Sequence, residues 1–172
     1  MAVSIRDARR SREDREWIER VYREYLVDLT AGGTGVFPAL AVTGQGTQEL
    51  LGTWFRDDKS VPFVILRGAE PAGFALVQRT SAAPHGPQAA HRLTEFFIRR
   101  PFRRRGLGRE AAMLLFRRFE GQWLVSESMR NRDAVAFWRN VISGYTHGRY
   151  RERQAGDEVQ HTFASASHGR AE

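Results

Sequence analysis

The sequence predicts a single mixed α/β domain. Three observations carry that expectation. Hydrophobic spacing alternates between strand-like and helix-like periods in the order βααβββαβαββ. Two turn signals, GAEP at 68–71 and QAGD at 154–157, each join a pair of strand-like runs. The length of 172 residues, with 41% hydrophobic side chains, suits one core of ordinary size. The domain is expected over residues 1–166, with 167–172 a frayed tail.

Each element has a local reason. AVSIRDA (2–8) alternates as a strand does. Ser11 with Asp14 three residues on resembles a capping box, with Asp in the Glu/Gln position. The helix it would open carries Trp17, Ile18, Val21, Tyr22, Tyr25, Leu26 and Leu29 on one stripe, and Gly32, Gly33 and Gly35 would end it. TQELLGTWFRD (47–57) reads as a short second helix. VPFVILR (61–67) and AGFALVQR (72–79) read as a hairpin, TSAAPHGPQAAH (80–91) as a loop and RLTEFFIRR (92–100) as a strand. Residues 108–119 read as a helix with Ala112, Leu115, Phe116 and Phe119 on its apolar face, followed by the strand QWLVSES (122–128). RDAVAFWRNVI (132–142) reads as the last helix, and GYTHGRYRER with EVQHTFAS as a closing hairpin.

Composition narrows the function classes. No run reaches the roughly 18 apolar residues a membrane span requires, so no membrane partner is expected, and the N-terminus lacks the apolar core of a secretory signal. The chain has no cysteine, hence no disulfide framework and no thiolate zinc site. A cytoplasmic location is expected. The net charge of +7 is uneven: residues 1–60 hold nine Lys/Arg against ten Asp/Glu, so the excess lies in the later part. Only Lys59 is a lysine, and the planar fork of the 26 arginines suits phosphate. His85, His91, His147, His161 and His168 show no metal-ligand spacing, so no metal is expected. His91 is taken to begin a strand and the other four to lie at surface or hairpin positions. Glu13, Asp14, Glu16, Glu19, Glu24 and Asp28 on the first helix are expected to form a solvated face.

Six of the eleven residues from Arg99 to Arg109 are arginines, between a strand and a helix. The first N–H groups of a helix have no internal partners, and the macrodipole makes that end positive. Gly106 and Gly108 would let an anion approach the backbone. Three ligands compete. Gly106-Leu-Gly108-Arg-Glu-Ala111 satisfies the relaxed dinucleotide fingerprint, with Glu127 in a ribose-binding place, but that fold wants the loop early and several βα units after it. Nucleic acid would use the basic loop for phosphate contacts, yet no helix-turn-helix, zinc-finger or ribonucleoprotein motif accompanies it.

The third ligand is coenzyme A. Arg103-Arg-Arg-Gly106-Leu-Gly108 resembles the Q/R-x-x-G-x-G/A signature of the GNAT N-acetyltransferases, and Ile98 falls at that family's strand-ending aliphatic position. Asn131-Arg-Asp-Ala134-Val-Ala-Phe137-Trp138 resembles the second signature, N-x-x-A-x-x-F/L-Y. The specific likeness covers roughly residues 92–145. It implies a mostly antiparallel sheet flanked by helices, acetyl-CoA as co-substrate, and a pyrophosphate held by backbone N–H groups of Arg104, Arg105, Gly106, Leu107, Gly108 and Arg109, with Arg103 opening the motif. It implies that the backbones of Phe96, Phe97 and Ile98 pair with the pantetheine arm between two splayed strands, and that Asn131, Ala134, Phe137 and Trp138 stand on its far side. Asn131 also suits a helix N-cap.

The reaction so implied is acetyl transfer to a primary amine by direct attack in a ternary complex, the acceptor being a small molecule or a peptide. Glu95 is the candidate general base, as the only carboxylate in the strand 92–100. Alternation puts Glu95 and Phe97 on one face and Phe96 and Ile98 on the other. Glu127 is the second choice. The family's usual tyrosine acid is replaced here by Trp138, whose indole is a donor but no practical acid, so Trp138 is expected to pack and Tyr145 to substitute. The alternative is a non-catalytic acetyl-CoA-binding sensor; a basic nucleic-acid-binding domain comes after it. A homodimer is allowed.

Overall fold

A computed structural model of the chain describes residues 1–31, 46–80 and 91–166. The three N-terminal glycines, most of the 80–91 loop and the tail lie outside them. Seven strands form one sheet: β1 (Val3–Asp7), β2 (Ser60–Arg67), β3 (Glu70–Arg79), β4 (His91–Ile98), β5 (Gly121–Ser128), β6 (Tyr150–Ala155) and β7 (Glu158–Ser165). The helices are α1 (Arg12–Ala31), α2 (Thr47–Arg56), α3 (Leu107–Arg118) and α4 (Arg132–Thr146). The spatial order is β1-β2-β3-β4-β5-β7-β6. Every neighbouring pair is antiparallel except β4 and β5. This is the mixed, mostly antiparallel sheet that the sequence and its resemblance predict.

Strand alternation sorts the core into two layers. Val61, Phe63 and Ile65 of β2 join Ala75, Val77, Trp123, Val125 and Phe163 beneath α3 and α4, which contribute Leu115, Phe116, Val141 and Ile142. Val64, Leu66, Phe74, Leu76 and Phe97 face the other way, against Ile18, Tyr22, Tyr25, Leu51 and Trp54 of α1 and α2. With helices on both faces, β2 is buried from Ser60 to Leu66, which explains its unbroken apolar run.

Three local expectations are corrected. Ser11 Oγ does accept from Asp14 N–H at 3.2 Å, but the Asp14 carboxylate does not return to the cap. It takes a two-pronged grip from Arg6 at 2.6 and 2.7 Å and is 3% exposed, so it is not part of a solvated face. The last helix runs on to Thr146, taking in Gly144 and Tyr145, before His147 and Gly148 turn the chain with positive φ. His161 is wholly buried under α4, because it pairs with Val125 on the inward face of β7.

Candidate active site

The sheet parts between β4 and β5. β4 pairs with β5 only at His91–Leu93 against Trp123–Val125. Beyond that point β4 follows β3 to Ile98 and β5 follows β7 to Ser128. The parting coincides with an irregularity opposite Leu76/Val77, where Thr94 is the extra residue and its hydroxyl donates to Leu76 O at 3.2 Å. A bulge shifts the side-chain phase by one. Leu93 therefore joins the α3/α4 layer with Phe96 and Ile98, while Glu95 and Phe97 face α1. The strands diverge where their side chains change sides.

A cleft of about 210 Å³ fills the opening, lined by Thr94, Glu95 and Phe96 from β4, Ser126, Glu127 and Ser128 from β5, Tyr25 and Leu29 from α1, and Asn131 and Trp138 beside α4. The Tyr25 phenol donates a hydrogen bond to Glu95. Its ring is fixed among Tyr22, Phe74 and Phe97, all with centroids within 5.5 Å. Burial raises the Glu95 pKa from 4.5 to about 7, against the opposing pull of the Tyr25 hydrogen bond. Glu127 stands on the other side of the sheet, 2.5 Å from His161 Nε2, and burial again raises its pKa.

The arginine loop divides by function. Arg99 binds Glu24 through two 3.0 Å hydrogen bonds. Arg100 reaches Asp28 at 3.5 Å. Arg103 donates to Ile98 O at 2.6 Å, grips Asp28 at 2.9 and 3.1 Å and lies over the Phe97 ring. Its side chain thus fastens the loop to α1, so the guanidinium expected at the cofactor already has protein partners. Glu24 stays exposed, as expected of a solvated face, while it pairs with Arg99, and half-buried Asp28 pairs with Arg100 and Arg103. Arg104, Arg105 and Arg109 remain exposed.

After Arg103 the backbone takes positive φ at Arg104 (64°) and at Gly106 (78°), the residue that caps α3. The left-handed conformation is what requires glycine at 106. Gly106 offers no side-chain cap, and the first backbone bond of the helix runs from Glu110 N–H to Gly106 O at 3.1 Å. The N–H groups of Leu107, Gly108 and Arg109 therefore lie in the uncapped first turn. Gly108 also stands close to α4. A Cβ there would lie 3.3 Å from the Phe137 ring and 3.6 Å from Ile98, so the missing side chain serves contact with α4.

Asn131 caps α4 by accepting from Ala134 N–H at 3.1 Å, and it also lines the cleft. Trp138 is 7% exposed, edge-on to Phe96 at 5.1 Å and beside Phe137. Tyr145 is removed from the site. Its hydroxyl meets Ser165 Oγ at 2.6 Å, and Ser165 pairs with Gly121, six residues down β5 from Glu127, or about 20 Å at strand rise. It cannot act as the acid in this cleft. Sequence reasoning did not single out Tyr25 for the site, since a tyrosine on an apolar helical stripe looks like core, nor Gly73. A Cβ at Gly73 would fall 2.2 Å from Phe97 O, so glycine there lets β3 and β4 close at the site.

These features are those of a known family. Residues 16–141 match the model of the acetyltransferase (GNAT) family, and the chain belongs to it. Solved structures share the fold. An acetyltransferase from Thermus thermophilus is 20% identical, with 95% of this chain and 97% of that one covered and a TM-score of 0.66. A GNAT-family acetyltransferase from Streptococcus agalactiae is 11% identical over 96% of each chain, with a TM-score of 0.68. The PaiA N-acetyltransferase of Thermoplasma acidophilum, in complex with coenzyme A, is 11% identical over 95% and 99%, with a TM-score of 0.63. No curated protein matches the chain in sequence at a significant level. Among the described residues no helix is long and apolar enough to cross a membrane.

Proposed function

We propose that this chain moves an acetyl group from acetyl-CoA to a primary amine, by direct attack with both substrates bound, and that Glu95 is the general base. The observation that carries the reading is the Glu95 carboxyl, buried in the cleft between the splayed strands, oriented by Tyr25 and with a pKa of about 7. An alkyl ammonium of pKa about 10.4 is neutral in only about one molecule in a few thousand at pH 7. A base half ionised at that pH combines availability with proton affinity.

The residues present fit coenzyme A. The uncapped first turn of α3, Gly106 in the left-handed conformation and the exposed Arg104, Arg105 and Arg109 make a seat for a pyrophosphate. Past Leu93, the edge of β4 at Phe96, Phe97 and Ile98 has no β5 partner and suits an extended amide-bearing arm. The thioester supplies the activated acetyl group. Asn131 and Trp138 bound the cleft from the α4 side, and Tyr25 and Leu29 from the α1 side, where a small-molecule or peptide amine would enter. Cytoplasmic placement belongs to the same reading. A homodimer is compatible with it, and neither nucleic acid nor membrane is invoked.

Calorimetric titration tests the reading, with NADH and a short DNA duplex as controls. One-to-one binding of acetyl-CoA alone, lost in Gly106→Val, supports it, and thiol release with a panel of amines then separates enzyme from sensor. No acetyl-CoA binding, with DNA binding that weakens steeply in salt, would overturn it.

A further inference from the structure

Glu127 has two unlike oxygens. Oε1 is held by His161 at 2.5 Å, while Oε2 is buried without a hydrogen-bond partner on a side chain that lines the cleft. The side chain is 7% exposed and His161 is 0% exposed. The far ring nitrogen, Nδ1, stands 3.4 Å from Glu152, which pairs with Arg139 at the surface of α4 at 2.7 and 2.8 Å. Nδ1 itself makes no hydrogen bond. A buried carboxylate oxygen with no partner is costly, and that cost is relieved if the oxygen carries a proton to donate or meets one.

The two carboxyls of the cleft lie on opposite faces of the sheet. Glu95 faces α1. Glu127 continues the Trp123, Val125 row, which faces α3 and α4. On the acetyl-transfer reading, on which this inference rests, the α3 side holds the coenzyme. That side carries Trp138, which cannot protonate a leaving group, and Tyr145 is out of reach.

We propose that Glu127 is the general acid of the reaction and that His161 is its positioning residue. Glu127 gives the proton on Oε2 to sulfur as the C–S bond breaks and its electron pair passes to sulfur. The carboxylate left behind is reprotonated from solvent once the products have left the cleft. Glu95 takes the proton of the amine, so the two carboxyls work in opposite directions across the sheet. Desolvation raises the Glu127 pKa, the direction a proton donor needs. The groups facing the pair are Glu152 and Tyr150 from β6 and Arg139 from α4.

The test uses the full chain with Glu127→Gln and, as the positioning variant, His161→Gln. In ligand-free protein with 13C-carboxyl-labelled glutamate, the signal lost in Glu127→Gln is expected to titrate above the ordinary 4.5 and to move in His161→Gln. In the thiol-release assay, Glu127→Gln is expected to lower kcat about a hundredfold, to keep acetyl-CoA affinity, and to lose the alkaline limb of the pH profile. Glu95→Gln should lose the acid limb instead. An active wild type with kcat unchanged in Glu127→Gln, loss of the acid limb in that variant, or an ordinary Glu127 titration that ignores His161→Gln would each overturn the assignment. A wild type that neither binds acetyl-CoA nor releases thiol would overturn the acetyl-transfer reading, and the assignment with it.

Discussion

Replacing Glu95 by glutamine should make the protein more stable at alkaline pH and not at acid pH. The carboxyl has a pKa of about 7 in the folded chain against an ordinary 4.5, mainly because it is buried. Folding therefore favours the protonated form. Below pH 4.5 both states carry the proton and burial costs little. As pH rises towards 7, the unfolded chain ionises first and the folded state loses stability relative to it. Above pH 7 the full difference is present, about 3 kcal/mol for two and a half units. Glutamine is nearly isosteric, never ionises, and keeps an oxygen for the Tyr25 phenol. Urea unfolding at pH 8 should place Glu95→Gln up to about 3 kcal/mol above wild type, and the gap should close near pH 4. The same variant should lose turnover about 10²- to 10⁴-fold at neutral pH. Equal stability at pH 8, or a gap that widens towards acid, would refute the claim that Glu95 is held in an unfavourable charged state.

Tyr25→Phe removes a hydrogen bond that lowers the Glu95 pKa, so the pKa should rise above about 7. A bond to a charged group is worth about 1.5–3 kcal/mol, or one to two units. Carboxyl NMR should show that shift, and activity at pH 7 should fall roughly 5- to 50-fold and recover towards pH 9. Gly73→Ala would drive a methyl into Phe97 O. It should cost about 1–3 kcal/mol in denaturant unfolding and weaken acetyl-CoA binding, because Ile98 and the loop after it must move.

The legible parts of this molecule were those governed by local pattern. Period-two runs and the GAEP and QAGD turns located the strands, and an arginine loop opening on Gly106 located the uncapped helix. Alternation also gave the right facing for Glu95 and Phe97. What stayed hidden depended on partners distant in sequence. Arg103 looked free until Asp28, 75 residues away, took its guanidinium. Ion pairing across two elements leaves no periodic trace. His161 was placed at a surface or hairpin position, yet alternation on a strand covered on one face by α4 turns it inward. Tyr145 was placed seven residues after Trp138 along the chain, but two helical turns carry it to the opposite end of the sheet. Gly108 was read as room for a ligand, and its close contact with Phe137 left no trace in the sequence.

The bulge at Thr94 and the three paired residues below it divide the sheet into two panels. β1 to β4 come from the first 98 residues and β5 to β7 from the stretch after 120, so each panel is continuous in the chain. Each can register its own strands through nearby contacts before the two meet. On one side α3 and α4 overlie strands of both panels, while the α1 and α2 layer packs against the first panel. Among the described residues, the helices thus splint the two panels on one face and not on the other. The width of the cleft is therefore set by the angle between the two panels at that seam.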